Sequence, residues 1–430
     1  MSGVTNAAQD EILPYTNNVS LWRHRDFMKL WTGQTVSELC SRITRDGLPL
    51  AAVIALNASA FEMGLLRAIG GAAVLLLGLY AGVWVDRLRR RPIMILADVG
   101  RALLLAAIPA AAMLHRLNMP LLYVVAALTG VLTVFFDVAY QTYLPSLIER
   151  ENVLEGNSKL ATSFSIAEIG GPGLTGVLVQ AFTAPIAILI DAISFLFSAV
   201  TIGLIRKHEP RPVRTKSDSP MHEALAGMRF LWSHPILRAL AGYALTAYFF
   251  FGIFGALYVV FAIEVLKIGA VRLELAISCG GVAALVASLI ARRVSARFGV
   301  GPTFIASSLV LAAGSALVPL AGGSVLAATM FMIGSQLTGD VSMAIYNIHE
   351  ISLRQTVAPP EVLGRVNASM RLLTLGVLPI GSLAGGLIAE PFGIRGAMWI
   401  AAAGLLLATG WLIWSPLHSL KRVETAASAG

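Results

Sequence analysis

Four ionisable residues in an otherwise apolar stretch are the residues of this chain whose types and spacing could do chemistry. Glu38 and Arg42 are four positions apart, as are Arg42 and Asp46, and Arg45 follows Arg42 by three. In a helix this spacing puts all four on one broad face. Charges are costly in hydrocarbon and normally face a cavity or a partner. The pattern predicts a polar wall on which Asp46 or Glu38 binds and releases a proton, or else a neutralised cluster that only fixes helix packing.

Further acids lie singly in other apolar stretches. Asp137 has aromatic neighbours at Phe136 and Tyr140, Asp340 lies in a later stretch, and Glu168 precedes a glycine-rich segment. An isolated acid in such a place is either a second titrating site or a hydrogen-bond acceptor for another helix. We expect Glu168 to line the same cavity as the first cluster, and both interpretations stay open for Asp137 and Asp340.

Other charged positions are interpreted as structural. Asp98 and Arg101 are three positions apart and predict an internal ion pair. Asp191 is expected to stabilise the packing of its helix. Arg67 lies near the end of an apolar stretch, from which its long side chain can reach the lipid headgroups.

Composition indicates that these residues belong to a polytopic membrane protein. Of 430 residues, 57% are hydrophobic and 13% are charged, against about 25% charged in an ordinary soluble domain. The net charge of +8 would suggest nucleic acid as a partner in a soluble protein, but here the positive charges are spread through short loops. We therefore expect the lipid bilayer as a partner and no nucleic acid.

Chemistry of other kinds is not indicated. Cys40 and Cys279 both lie in apolar segments, so neither a disulfide framework nor a metal site is expected. The sequence contains no nucleotide-binding fingerprint and no catalytic constellation of Ser, Cys, His and Asp. It predicts a protein that is not an enzyme, needs no cofactor and does not hydrolyse ATP.

A membrane span needs about 20 mostly apolar residues. Pro, Gly and charge clusters divide the chain into twelve candidate spans: 28–52, 62–82, 92–114, 119–144, 158–181, 184–205, 236–262, 271–291, 302–321, 324–348, 367–389 and 394–414. Most Lys and Arg residues fall in alternate loops, and basic loops stay on the cytoplasmic side. The sequence predicts an all-α, multi-pass protein of the cytoplasmic (inner) membrane with both termini in the cytoplasm.

A polar interruption after the sixth span divides the chain. Residues 1–206 are expected to form one six-helix bundle and residues 236–430 a second, joined by a cytoplasmic linker over 207–235. In the linker Leu225, Met228, Leu231 and Trp232 lie on one side of a helix, which predicts an amphipathic helix along the membrane surface or a simple tether.

The two halves are related at a fixed offset of 210 residues. This offset places Asn157 on Asn367 and Pro92 on Pro302. The shared offset, rather than the number of identities, predicts a pseudo-symmetric repeat of six plus six helices.

Three motifs carry a resemblance to a known family. The loop with Gly82, Asp86, Arg87 and Arg91 resembles the signature loop between helices 2 and 3 of the major facilitator superfamily. The segments 27–37 and 351–369 resemble the macrolide-efflux and siderophore-exporter types of that superfamily. The residues Gly170, Gly171, Pro172 and Gly176 are similar to the superfamily's antiporter motif, although generic close packing of small residues is the alternative.

The resemblance implies fold, mechanism and roles. The expected fold is the major facilitator fold, with two six-helix bundles around a central cavity. The expected activity is export of a small, partly apolar compound by alternating access, with protons as the counter-ion and a monomer as the working unit. The alternative is an importer or a lipid or metabolite facilitator of the same fold. Asp86 would cap a helix of the opposite half as a latch, and Arg87 and Arg91 would contact lipid headgroups or acids of that half.

The sequence departs from the family pattern in the fourth span. Residues 119–144 contain no Arg or Lys where the family has an arginine motif, so proton coupling must rest on the acids that are present. Aromatic residues in the spans, among them Phe135, Tyr248, Phe251 and Tyr258, favour an apolar or cationic cargo, or else ordinary packing.

Overall fold

Helices make up most of the chain in the computed structural model, which describes residues 21–85, 87–207, 209 and 220–420. Within these ranges there is no β-strand. The helices are α1 (Arg25–Leu56), α2 (Ala60–Val85), α3 (Arg90–Met113), α4 (Met119–Leu147), α5 (Val153–Phe182), α6 (Ala184–Gly203), α7 (Pro220–Ser233), α8 (Pro235–Val260), α9 (Ala270–Phe298), α10 (Val300–Leu320), α11 (Val325–Val357), α12 (Pro360–Leu375), α13 (Leu378–Ala408) and α14 (Gly410–Ile413). The all-α prediction is confirmed.

Eight helical segments of the described chain are long and apolar enough to cross a membrane. They are α2, α3, α4, α6, α8, α9 and α10, together with one segment that runs from α12 to α14. Helices α1, α5 and α11 are not among them. Ionisable residues interrupt the apolar sequence of these three helices, namely the charged cluster in α1, Glu168 in α5 and Asp340 in α11.

Local signals in the sequence set the helix ends. The Asn118 side chain accepts a hydrogen bond from the amide of Leu121 at 2.9 Å and caps the start of α4. Asn57, with φ 53°, ends α1. The predicted boundary between the last two spans falls at Gly393, where a φ of 71° breaks the helical conformation inside α13.

The predicted offset between the halves is seen in the backbone. The pairs α1 and α8, α2 and α9, and α3 and α10 each begin 210 residues apart. Thr183, between α5 and α6, and Gly393 in α13 have the same separation, and both have positive φ, 89° and 71°. The repeat therefore extends to the conformation of its turns, where few sequence identities remain.

The first half (α1–α6) and the second half (α8–α14) contact each other mainly through α2 with α13 and α5 with α9. Glycines make both contacts close. A Cβ atom added to Gly64 would lie 2.6 Å from the carbonyl oxygen of Ser382, and one added to Gly176 would lie 2.9 Å from the Cβ of Glu274. Small residues at these crossings let the backbones approach.

The apolar cores differ between the two ends of the molecule. We call the end at which α1, α3 and α10 begin the basic end, because Arg90, Arg91, Arg292 and Arg293 lie there, and the opposite end the far end. At the basic end each half has its own core, around Phe27 in the first half and around Phe304 in the second. At the far end one core is built from both halves. The halves are thus joined at the far end.

Helix α7 packs on the second half. Gly227 faces the backbone carbonyl of Arg365 in α12, and Leu231 is fully buried, whereas Leu225 is exposed. The predicted linker thus contains a helix that rests on α12. Residues 208 and 210–219 of the linker lie outside the described residues.

Candidate functional site

A cavity of about 810 Å³ lies between the two halves. Its walls come from α1, α2, α3 and α4 of the first half and from α8, α12 and α13 of the second. Most of the lining is apolar or glycine, and its polar members are Thr44, Arg45, Arg67, Thr129, Thr133, Asp137, Asn367, Arg371 and Ser382. A largely apolar cleft of this size, with a few converging polar groups, is typical of small-molecule sites.

Ion pairs between α1 and α5 border this cavity. Arg42 Nη2 lies 3.0 Å from Glu168 Oε2, and Arg45 Nη2 lies 2.9 Å from Glu168 Oε1. One carboxylate therefore holds two arginines. The Arg42 side chain is 10% exposed and that of Arg45 is 48% exposed, so Arg45 is the member that reaches the cavity. Glu168 was expected to line the cavity, but it is not among the lining residues and reaches the cavity only through Arg45.

The glycine-rich motif of α5 makes room for this pairing. A Cβ atom on Gly171 would lie 2.6 Å from the Cβ of Arg42. Further along α5, Gly176 packs on Glu274 of α9, while Gly170 has no atom within 4 Å of such a Cβ. Pro172 is buried inside α5, which stays helical from Val153 to Phe182. The motif thus joins α1 on one side to the second half on the other.

The remaining acids of the first cluster are placed differently from the expectation. The arginines of α1 pair with Glu168 and not with Glu38 or Asp46, because a neighbouring helix offers a better-placed carboxylate. Glu38 is half-buried and does not line the cavity. Asp46 does not line it either, and its Oδ2 atom is buried without a hydrogen-bond partner in the described chain.

The isolated acids separate into two groups. Asp137 of α4 lines the cavity, where it interacts electrostatically with Arg371 of the second half. Asp340 of α11 instead packs against Gly280 of α9 and is not a lining residue. Sequence position alone could not separate these two residues, because the helix face that each occupies depends on the packing of the halves.

The predicted internal ion pair of α3 is formed. Arg101 Nη2 donates to Asp98, and both side chains are buried. The guanidinium of Arg101 lies 4.3 Å from the ring centre of Phe136 and 4.1 Å from that of Phe195. Aromatic faces attract a desolvated cation, so this pair stabilises the packing of α3 on α4 and α6.

Two arginines of the cavity were not predicted. Arg67 was expected to reach the headgroups, but it lies in the cavity wall, because α2 turns its face of Gly70, Gly71 and Gly78 towards the second half. This stripe of small residues, spaced at helical intervals from Arg67, is the signal that could have found it. Arg371, in α12, is exposed and faces the same space.

The charge of the lining differs from the expectation for the cargo. Three arginines and one acid line the cavity, and Phe251 is its one aromatic lining residue in the described chain. The expected aromatic wall for a cationic cargo is not formed, since Phe135, Tyr248 and Tyr258 pack elsewhere. The lining therefore favours a neutral or acidic group over a cationic one.

A third unpredicted residue is Glu274, near the start of α9. Its side chain is fully buried, and neither carboxylate oxygen has a hydrogen-bond partner among the described residues. In the sequence it follows Arg272 beside a poorly marked loop, where a charged residue is unremarkable. The sequence signal that could have identified Glu274 is its position inside the predicted span 271–291, where an acidic residue is unusual.

The loop between α2 and α3 contacts its own half in this conformation. The amides of Arg90 and Arg91 donate to Glu209 at 2.7 and 3.1 Å, which caps α3. Arg91 Nε donates to the carbonyl of Ile202 at 3.1 Å, so the expected contact of Arg91 with the opposite half is not formed. Arg87 is exposed, Gly82 has open space around it, and Asp86 lies outside the described residues.

This arrangement of helices and cavity is that of a known family of membrane transporters. Residues 30–373 match the family described as the Major Facilitator Superfamily. The chain belongs to this superfamily and is a multi-pass membrane protein, as the motifs in its sequence predicted.

Two bacterial efflux proteins are among its relatives. The chain is 27% identical to the multidrug efflux pump Tap of Mycolicibacterium fortuitum over 82% of this chain and 86% of Tap. It is 22% identical to macrolide efflux protein A of Streptococcus pyogenes over 93% of this chain and 97% of that protein.

Solved structures share the fold at low identity. A mutant form of the nucleoside transporter NupG superposes with a TM-score of 0.76 at 11% identity over 90% of this chain and 99% of NupG. A bacterial homologue of the iron transporter ferroportin, 19% identical, gives a TM-score of 0.71 in its inward-facing state over 92% of this chain and 98% of its own. At these identities the likeness shows the common fold and nothing about the cargo.

Proposed function

We propose that this protein is a secondary active transporter that exports a small, partly apolar compound by alternating access, with protons moving in the opposite direction. The observation that carries the proposal is the largely apolar 810 Å³ cavity between two halves joined at one end. Rocking of the halves about such a cavity would expose it to each side of the membrane in turn. The likeness to two efflux proteins supports export.

The orientation follows from charge. Basic loops favour the cytoplasmic side, so the basic end faces the cytoplasm and both termini lie there. The likeness to bacterial transporters supports the cytoplasmic membrane as the location. In this orientation the cavity opens to the cytoplasm when the far end is closed, which is the state that loads an exported cargo. We propose a monomer of two bundles, 1–206 and 236–430, connected by 207–235.

The proposed roles of the site residues follow their positions. Arg45 and Asp137 contact the cargo, together with Arg67 and Arg371. Glu168 holds Arg45 in place, and Arg42 in turn holds Glu168. Asp46, Glu38 and Asp340 are the remaining acids from which protons can be exchanged.

The signature loop acts when the basic end closes. Gly82 and Asp86 then meet the second half, while Arg91 anchors the loop to α6. The glycines and Pro172 of α5 allow close contact between the halves while the far end is closed.

The test is efflux from energised cells. Cells expressing wild type, Asp46→Asn or Glu264→Gln are loaded with fluorescent drugs and labelled acidic metabolites, with and without a protonophore. Glu264→Gln is the control because it removes a carboxylate from an exposed ion pair with Lys267. We expect efflux in wild type and in the control to be lost with the protonophore, and Asp46→Asn to be inactive. Efflux that survives the protonophore contradicts proton antiport, and cargo accumulation in energised cells identifies the alternative, an importer.

A further inference from the structure

Glu274 is an acidic residue in a buried place where no described group forms a hydrogen bond with its carboxylate. It is fully buried between α9 and α5, and both of its carboxylate oxygens lack a hydrogen-bond partner in the described chain. A buried ionised carboxylate without hydrogen bonds costs far more free energy than a neutral carboxylic acid. With the far end closed, Glu274 is therefore expected to carry a proton.

Glu274 lies at a joint between the halves. Gly176 of the antiporter-like motif packs on it, with 2.9 Å from an added Cβ to the Cβ of Glu274 and 3.1 Å to the Cα of Val271. α9 belongs to the second half and α5 to the first, so any opening of the far end that separates α5 from α9 exposes Glu274 to water. The movement that opens the far end thus also changes the solvation of this carboxyl group.

The groups around Glu274 connect it to the cavity. Asp46 of α1 interacts with it electrostatically and has a buried Oδ2 without a hydrogen-bond partner in the described chain. The other charged or titratable groups that face this region are Arg45 on α1, Arg67 on α2, Glu168 on α5, Tyr258 on α8 and Asp340 on α11. Arg45 and Arg67 line the cavity. Asp46, Arg45 and Arg67 therefore all lie within electrostatic reach of the buried acid, and the two arginines extend this group of charges to the cavity wall.

We propose that Glu274 and Asp46 together form the site of the transported proton, and that protonation of Glu274 permits the far end to close. This proposal rests on the proposed proton antiport. When the far end is open, the carboxylate of Glu274 takes a proton from outside. The neutral acid is buried as α5 and α9 meet. The proton then passes to Asp46 and leaves through the cavity once the basic end is open, before cargo binds.

The test measures the far end directly as a function of pH. Spin labels are placed on Leu114→Cys, after α3, and Leu326→Cys, at the start of α11, after Cys40→Ser and Cys279→Ser. Both labelled positions are exposed at the far end, one in each half. In lipid nanodiscs without cargo, raising the pH should convert a short distance into a long one, by up to about tenfold per pH unit for each proton released.

The variants decide which residue is responsible. Glu274→Gln mimics the protonated acid and should keep the short distance at every pH, whereas Glu264→Gln should titrate as wild type does. A wild-type pH response in Glu274→Gln overturns the proposal. If Glu274→Gln is not monodisperse, Glu274→Asp takes its place, and an unchanged midpoint in that variant overturns the proposal equally.

Efflux separates this proposal from the proposed function. Wild-type efflux that resists a protonophore contradicts proton antiport, and with it the proposed function. Protonophore-sensitive efflux that is retained in Glu274→Gln is consistent with antiport but contradicts the role of Glu274 as the proton site.

Discussion

Gly171 of α5 lies directly against the side chain of Arg42 in α1: a Cβ atom on Gly171 would be 2.6 Å from both the Cβ and the Cγ of Arg42. The same arginine reaches Glu168, three residues earlier on α5, at 3.0 Å. One turn of α5 therefore supplies both the space and the counter-charge for Arg42. The antiporter-like motif and the charged cluster of α1, which are far apart in the sequence, are two sides of one contact.

Substitution of Gly171 should break this contact. Gly171→Ala places a methyl group on Arg42, and overpacking of this kind costs about 1–3 kcal/mol. We expect a lower melting temperature and slower efflux, because Arg42 is pushed away from Glu168. Gly170→Ala is the matched control, since no atom lies within 4 Å of the added Cβ. Thermal unfolding and efflux of both variants are the measurements. Equal effects in the two variants would argue against the contact.

Removal of Glu168 should leave two arginines without their counter-charge. We expect Glu168→Gln to destabilise the protein by about 2 kcal/mol, less than for a fully buried pair because Glu168 is 31% exposed. The double variant Glu168→Gln, Arg42→Gln should recover part of that stability, because it no longer contains the less exposed arginine without its counter-charge. The measurement is a double-mutant cycle of thermal unfolding. Strict additivity would show that the pair does not interact.

Arg371 should select cargo by charge. Its guanidinium faces the cavity, and a hydrogen bond to a charged group is worth about 1.5–3 kcal/mol. Arg371→Gln should therefore weaken binding of an acidic compound by roughly tenfold or more, and that of a neutral analogue by much less. Arg365→Gln, in the same helix but outside the cavity lining, is the control. The check is direct binding of a matched acidic and neutral pair to the purified protein, and equal losses for both compounds would contradict a charge-specific role.

Asp26 should make stability depend on pH at the basic end. Burial opposes its ionisation, but hydrogen bonds from Lys29 at 2.7 Å and from the amides of Arg206 and Lys207 hold the pKa of Asp26 below its ordinary value. Because the folded-state pKa is lowered, the stabilisation is present above the unfolded-state pKa of about 3.9 and is lost as pH falls through the folded-state pKa.

The comparison for this effect is Asp26→Asn with wild type. We expect the variant to melt at a lower temperature at pH 7, with a deficit of about 1 kcal/mol, and the two proteins to converge below pH 4. Thermal unfolding from pH 7 to pH 3 is the measurement. A deficit that stays constant with pH would mean that packing, and not the charge of Asp26, is responsible.

The sequence was sufficient to predict features that depend on a single helix, such as its position in the chain and the ion pairs within it. Apolar length and the breaks at Gly, Pro and charge clusters predicted most of the helices, although the predicted span 367–389 is divided between α12 and α13. The offset of 210 residues is repeated in the starts of three helix pairs. The spacing of Asp98 and Arg101 predicted their ion pair, because both partners lie on α3.

The features that could not be predicted from the sequence are those that depend on how the helices pack against one another. The spacing within α1 favoured Glu38 and Asp46 as partners for Arg42, but Glu168 on α5 takes that place. Glu274 was missed because a charged residue near a loop is ordinary until the loop's neighbours are known. Tertiary contacts, and not local propensity, decide which acids are paired and which are buried alone.

The 210-residue offset has a consequence for how a cargo is oriented. It makes Glu38, Arg42, Arg45 and Asp46 of α1 the counterparts of Tyr248, Gly252, Gly255 and Ala256 of α8. Of these residues, Arg45 lines the cavity from α1, and Gly252 and Gly255 line it from α8, so the two equivalent helices present a cation on one side and bare backbone on the other. A molecule with a polar head and an apolar tail would therefore meet different surfaces on α1 and on α8, although the backbone repeat makes these helices equivalent.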